Sequence, residues 1–426
     1  MTGKIEVPDQ LTGDGRPIHV LYVHHAGAFG GASRSLLELI DGFPHGSVIP
    51  RIVTQRGTVP HAFTRKGIEL VDTVGISQFD HTQFNYYRGR RWLVLIREVL
   101  YLPFTLLALI RARTRWRHID IVHVNEIVAV SAVVFGKILF GCPVVVHVRS
   151  VQEARHGPLR RRFLVRLLRR YASAVIAIDE TVRQSLPPDI DVQVVHNSYA
   201  AKMQGPERSS AEPPLPPRSP AVVRVAMVGS PLSFKGVQEF VNAARICRER
   251  NLPAEFLIAG MHASRRPGPA KMVLRAMGFA HDATGEVQRL VEEYGLADCL
   301  RLLEFTSEID QVYANIDVLC FPSHLHAVGR PVIEAAVWKV PSIVAVRNPQ
   351  PDTMIDRETG LCIEPGDAEA IADAVSYFCR NRSELTRMGE AAHRLALDNF
   401  DSRRNAARVL KIYRRVLAGV SGTASA

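Results

Sequence analysis

Apolar runs of strand length alternate with amphipathic, helix-length stretches along nearly the whole chain, in two series. In the first, residues 18–26 (IHVLYVHHA), 47–57, 68–75, 119–126, 143–150, 173–179 and 192–200 read as strands. In the second, residues 223–230, 254–260, 299–305, 316–323 and 341–347 do so, and helices over 367–380, 383–400 and 401–419 close the chain. Between the two lie residues 205–220 (GPERSSAEPPLPPRSP), whose prolines cannot enter a sheet or helix interior. Such alternation on both sides of a linker predicts an α/β fold of two Rossmann-like, doubly wound parallel-sheet domains facing across a cleft. The expected division is 1–204, a linker at 205–220, 221–398, and a closing helix over 399–426 that returns to the N-terminal domain.

Two segments depart from this rhythm. Residues 88–118 hold an apolar stretch that approaches bilayer-spanning length, yet Arg97, Glu98 and Pro103 interrupt it and arginines bracket it. The readings are a helix packed on the sheet and a helix whose exposed side dips into a membrane interface. Residues 155–172 (RHGPLRRRFLVRLLRRYA) combine leucines near helical spacing with seven arginines, which suits either a solvated face or anionic headgroups.

Composition narrows the partners. With 47% hydrophobic and 22% charged residues over 426 positions the chain is globular, and its net charge of +11 calls for an anionic partner. No zinc-finger spacing or aromatic nucleic-acid signature accompanies the charge, so nucleic acid is not expected. The six cysteines lack CxxC pairing and read as reduced core residues, with neither a metal nor a disulfide framework. The polar first residues contain no apolar signal-peptide core.

Candidate chemistry gathers at strand ends. Gly27, Gly30 and Gly31 follow the first strand and open a helix. The strand 316–321 runs through Pro322-Ser323 to a helix beginning near Gly329-Arg330, with Glu334 one turn in. Backbone N–H groups at such a helix start favour an anion, and a carboxylate beside them can accept hydroxyl hydrogen bonds. The same residues also fit an ordinary strand, turn and helix of a parallel sheet.

In order, GGASRSLLELI, DIVHVNE, PVVVHVRS, VVHNSYA, VGSPLSFKG, PSHLHAVGRPVIEAA and TGLCIEPGDAEAIADAV resemble the retaining glycosyltransferases of the GT-B fold, family 4. The resemblance spans nearly the whole chain. It implies a hexosyltransferase that takes a nucleotide-diphosphate sugar in the C-terminal domain, without a metal or other cofactor. The sugar would pass to a glycan or lipid-linked acceptor in cell-surface polysaccharide or glycolipid synthesis. The enzyme would be cytoplasmic, peripheral at the inner membrane face through 88–118 and 155–172. The implied donor residues are Gly229, Ser230, Lys235 and Arg330 toward the diphosphate, Gly329 at the helix start, and Glu334 toward the ribose hydroxyls. His147 would contact the transferred sugar, with Gly30, Gly31, Asn125, Glu126, Arg149 and Asn197 lining the acceptor side.

Three positions depart from the family pattern. His326 stands eight residues before Glu334, where the resemblance leads one to expect a glutamate addressing the donor sugar, and is taken with His147 and Lys235 as a catalytic candidate. Gly229-Ser230-Pro231-Leu232 lacks a usual arginine, for which Arg224, Arg347 or Arg330 could substitute. Lys339 replaces a usual glycine. The first two departures motivate an alternative, a catalytically weak homologue that binds a sugar nucleotide or partner enzyme. A sugar-nucleotide epimerase is a third possibility.

Overall fold

The computed structural model describes residues 16–83, 87, 89, 92–153, 157–199, 215, 219–261, 283–306, 308–325 and 327–423, with side chains to 419. The linker expected at 205–220 therefore lies mostly outside the described residues, as does His326.

The N-terminal sheet comprises β1 (Ile18–His24), β2 (Val48–Gln55), β3 (Glu69–Thr73), β4 (Ile121–Val124), β5 (Val144–Val148), β6 (Ala174–Ala177) and β7 (Val192–Val194). All pair in parallel, in the order β3-β2-β1-β4-β5-β6-β7. Its helices are α1 (Gly31–Gly42), α2 (Val59–Thr64), α3 (Trp92–Arg115), α4 (Val130–Phe140), α5 (Pro158–Tyr171) and α6 (Glu180–Ser185). Strands covered on both faces need side chains that are apolar in either direction. Thus β5, VVVHV, is buried throughout, and His147 is its one polar member.

The second sheet holds β8 (Val223–Val228), β9 (Ala254–Met261), β10 (Leu300–Glu304), β11 (Val318–Phe321), β12 (Ser342–Ala345) and β13 (Gly360–Ile363), in the order β10-β9-β8-β11-β12-β13, again parallel. The sequence reading lacked β13, a four-residue strand too short for its pattern to register. Helices α7 (Val237–Glu249), α8 (Thr284–Glu293), α9 (Ile309–Ala314), α10 (Arg330–Val337), α11 (Ala368–Arg380) and α12 (Arg382–Phe400) accompany this sheet. In α7, Val237, Phe240, Val241 and Ala244 recur at helical spacing and face its core, where Phe240 meets Phe256 edge-on.

Helix α13 (Ser402–Thr423) leaves the second domain and packs on the first. Ala406, Val409, Leu410, Ile412 and Tyr413 share one core with Val20, Tyr22, Leu36 and Leu39. The Tyr413 hydroxyl lies 2.6 Å from His123 Nδ1 and donates to the Tyr22 hydroxyl at 3.2 Å.

Helix α3 divides its surface sharply. Glu98, Thr105, Ala108, Leu109 and Ala112 are buried, while Trp92, Leu93, Ile96, Val99, Leu100, Phe104, Leu107 and Ile110 are exposed along the opposite side. Glu98 is stabilised in the interior by accepting from the Gln78 backbone N–H at 2.7 Å and from Arg97 Nε at 2.8 Å. Leu159 and Phe163 of α5 add exposed apolar surface, and Phe163 meets Phe79 edge-on.

Lys339 follows α10 with φ +58, a left-handed conformation in which a Cβ is crowded. A glycine there fits without strain. Lys339→Gly is therefore expected to raise stability by about 0.5–1 kcal/mol, the relieved strain exceeding the added chain entropy, as measured by urea unfolding.

Candidate active site

The carboxyl ends of both sheets open toward one another. On the C-terminal side, β8 is followed by Gly229 with φ +124, and the loop to α7 passes through Ser230, Pro231 and Lys235 to Gly236 with φ +75. Gly236 must lack a side chain, because a Cβ would overlap the Pro322 carbonyl oxygen. The contact seats this loop on the end of β11, and His324 N–H donates to the Phe234 carbonyl at 3.0 Å. Lys235 Nζ lies 3.1 Å from where a Cβ on Gly229 would stand. Its ammonium is partly buried, forms no ion pair among the described residues, and has its pKa lowered by that burial.

Arg330 opens α10, and its surroundings differ from the expected phosphate contact. Nε donates to Glu334 at 2.6 Å, Nη1 to Ser35 Oγ at 2.7 Å and the Ser198 carbonyl at 3.2 Å, and Nη2 to the two Glu38 oxygens at 2.7 and 2.6 Å. A guanidinium has five N–H groups, so these bonds leave none for a phosphate in this conformation. Burial would lower the Arg330 pKa, but Glu38 and Glu334 outweigh it and raise it. For Glu38 burial prevails over its arginine neighbours, and its pKa rises to about 7. Arg330 thus ties the domains together, with the Tyr199 ring 5.5 Å beneath its guanidinium.

Glu334 is buried within the same tie. Its Oε1 also accepts from Arg34 at 3.3 Å, and its Oε2 from the Tyr313 hydroxyl at 2.8 Å. Oε2 retains a lone pair for one further donor. The other arginines considered as diphosphate cations are also engaged: Arg224 with Glu255 at the amino end of β8, away from the cleft, and Arg347 with Glu364 on the surface. Further contacts cross between the domains. His196 Nε2 lies 2.8 Å from Asp352 Oδ2, and Tyr199 donates to Asp310 Oδ1 at 2.7 Å.

On the N-terminal side, β1, β4, β5 and the segment after β7 bring their ends together. Arg149 Nε donates to Asn125 Oδ1 at 3.0 Å and to the Asn125 carbonyl at 3.2 Å, and Nη1 donates to Asn197 Oδ1 at 2.6 Å. Nη2 stands 3.3 Å from His147 Nδ1. Asn125 Nδ2 in turn lies 2.9 Å from His24 Nδ1, whose Nε2 is 2.9 Å from Ser33 Oγ. Burial, then the Arg149 charge, holds His147 well below the ordinary histidine pKa, so its ring is neutral. Glu126 accepts from Ile127 N–H at 2.9 Å, Ser150 Oγ at 2.8 Å and Arg149 N–H at 3.3 Å, but burial prevails and raises it to about 7.

Gly30 is exposed at the start of α1, and Gly31 faces Arg330 Cδ across the cleft, 3.8 Å from a Cβ position. The structure thus brings Asn125, Glu126, His147, Arg149 and Asn197 into one cluster, Gly229, Ser230 and Lys235 into a second, and Gly31, Arg330 and Glu334 into the tie. Sequence reasoning missed Arg34, Ser35, Glu38, Tyr199 and Tyr313. The available signal was Arg34 and Glu38, charged residues at i,i+4 spacing on the helix that follows the glycine loop.

Residues 221–395 match the family model described as glycosyl transferases group 1, and residues 29–199 that of glycosyltransferase family 4, one on each domain. The chain belongs to this glycosyltransferase family. It is 30% identical over 101 residues to the capsular polysaccharide biosynthesis glycosyltransferase CapM of Staphylococcus aureus, covering 24% of this chain and 27% of that protein. It is 25% identical over 179 residues to the GDP-mannose-dependent alpha-(1-6)-phosphatidylinositol monomannoside mannosyltransferase of Mycolicibacterium smegmatis, covering 39% and 46%. The matched stretches span less than half the length of either relative. The fold is similar to that of Anabaena HepE, crystallised with UDP, at a TM-score of 0.68, 14% identity, and coverage of 93% of this chain and 100% of that one. The two facing parallel-sheet domains are the GT-B arrangement.

Replacing Arg330 with methionine keeps its length but leaves Glu38 and Glu334 without their shared cation. Removing one partner of a buried pair costs about 3–5 kcal/mol. Arg330→Met is expected to lower unfolding stability by that order and to increase the radius of gyration in small-angle scattering.

Proposed function

We propose that this chain is a retaining glycosyltransferase that moves a sugar from a nucleotide-diphosphate donor to a glycan or lipid-linked acceptor in cell-surface polysaccharide or glycolipid synthesis. The observation that carries the reading is Lys235, a partly buried ammonium without an ion-pair partner among the described residues, in a glycine-bounded loop at the end of β8. Such a charge costs least when an anion arrives to meet it, and a leaving diphosphate gains negative charge as its bond to the sugar breaks. The remaining lone pair of Glu334 Oε2 suits a ribose hydroxyl. Anabaena HepE, of the same fold, has been crystallised with UDP-glucose, which supports a donor of this class.

In this mechanism the bond from the sugar's anomeric carbon to the phosphate oxygen breaks, and the acceptor hydroxyl oxygen bonds to that carbon on the same face. The hydroxyl proton passes to the departing phosphate oxygen. Lys235 stabilises the diphosphate, while neutral His147, whose Nδ1 accepts from Arg149, would donate its Nε2 proton to the sugar. No protein nucleophile is required.

Incubating the purified chain with radiolabelled UDP-, GDP- and ADP-sugars and a membrane extract as acceptor source tests the reading. Transfer should occur with one donor, and Lys235→Ala and Glu334→Ala should each reduce it at least tenfold, about 1.4 kcal/mol in transition-state terms. Donor binding with neither transfer nor hydrolysis would favour a catalytically weak sugar-nucleotide-binding homologue. Turnover unchanged in both variants would mean the cleft is elsewhere.

The same proposal makes the protein peripheral at the inner, cytoplasmic membrane face. Its support is the exposed apolar side of α3, continued by Leu159 and Phe163 and flanked by Arg111, Arg113, Arg115, Arg161 and Arg162. Because the other side of α3 is fixed to the domain core, the helix would lie in the interface plane. Vesicles containing phosphatidylglycerol should sediment the protein, less so as salt rises, since exposed charge is screened over about 8 Å at physiological ionic strength. Ile96→Glu with Leu100→Glu, both exposed, should abolish sedimentation without loss of fold. Binding indifferent to salt, lipid charge and these changes would refute the membrane assignment.

A further inference from the structure

We propose that Arg149 is an anion subsite on the N-terminal side of the cleft, built to take a phosphate oxygen of the acceptor. Its guanidinium is already aimed: Asn125 and Asn197 fix Nε and Nη1, and His147 receives Nη2. All these partners are neutral, and no carboxylate forms an ion pair with Arg149 among the described residues. Of its five N–H groups, those contacts occupy three and leave one on each terminal nitrogen, the fork that suits an oxyanion. Since a guanidinium only donates, His147 Nδ1 must be the acceptor, which puts the ring proton on Nε2. That nitrogen is buried and has no hydrogen-bond partner among the described residues.

Among the neighbouring charges, Glu126 works against the burial that lowers the Arg149 pKa to about 10, yet it forms no ion pair with the guanidinium among the described residues. Glu126 spends its oxygens on two backbone N–H groups and Ser150 Oγ. Arg330, across the cleft, is already neutralised by Glu38 and Glu334. His24, His25, His123 and His147 all have lowered pKa values, burial first, so they add no charge of either sign. Arg149 is nevertheless only partly buried, and Asn197 beside it lines a cavity of about 20 Å³ between the domains together with Arg330 and Glu334. A positive charge held in position by neutral amides is completed by an incoming anion. Lys235 meets the donor's diphosphate from the opposite domain, so Arg149 is left for the acceptor. That last step rests on the glycosyl-transfer reading.

The test is calorimetric titration of the full chain with glycerol 1-phosphate, with glycerol as the neutral control, in the absence and presence of UDP or GDP. Glycerol 1-phosphate should bind, glycerol should not, and a saturating nucleotide should not displace it. Arg149→Gln and Asn197→Asp, the latter placing a carboxylate on the guanidinium, should each weaken glycerol 1-phosphate at least tenfold and change nucleotide affinity less than twofold. Absence of binding to the unaltered chain, or affinity unchanged in Asn197→Asp, would overturn the proposal. So would displacement by nucleotide with weaker nucleotide binding in Asn197→Asp, which would assign Arg149 to the donor diphosphate. Failure of every nucleotide to bind, with glycerol 1-phosphate still lost in both variants, would keep the subsite and remove the glycosyl-transfer reading.

Discussion

Arg330 and the two carboxylates that flank it set the terms for everything else in the cleft. Glu38 belongs to the first domain and Glu334 to the second, so one buried guanidinium fixes the distance between two otherwise separate sheets. An arginine is suited to this because its planar fork can satisfy several acceptors at once, which a lysine cannot. The tie also orients Glu334, whose oxygens are held by Arg330, Arg34 and Tyr313. Charges in the cleft then fall into two kinds. Those of the tie are balanced within the protein. Lys235 and Arg149, one on each domain, form no ion pair among the described residues and are the places where a bound anion changes the electrostatic energy most.

Much of the architecture could be read from the chain because parallel strands buried on both faces are written as unbroken apolar runs. PVVVHVRS and VRVAMVGS announce themselves in this way, and the helices between them carry regular apolar spacing. The glycines also spoke plainly. Gly236 closes the VGSPLSFKG motif, and the approach of its backbone to Pro322 supplies the physical reason for a glycine there. β13 escaped because four residues, GLCI, carry too little pattern to separate a strand from a loop.

The site was legible in its residues but not in their partners. Arg330 followed a glycine at a helix start, which suggested a phosphate contact; its acceptors on Ser35 and Glu38 lie 295 and 292 positions away. No spacing rule links such distant residues, so saturation of that arginine could be learned only in three dimensions. The same holds in the opposite sense for Arg149. Its sequence neighbours suggested a cleft position, yet the lack of a carboxylate paired with its guanidinium among the described residues is a property of converging segments.

Helix α13 carries a consequence for the order in which the protein can form. Its residues 406–413 complete the core beneath β1 and α1, so the first domain to leave the ribosome lacks part of its interior until those residues have been made. The second domain, whose own core is drawn from residues 223–388, can close earlier. During synthesis the N-terminal sheet must wait with Tyr22 and Leu36 incompletely covered, a period of exposed apolar surface in which a chaperone would find its binding site.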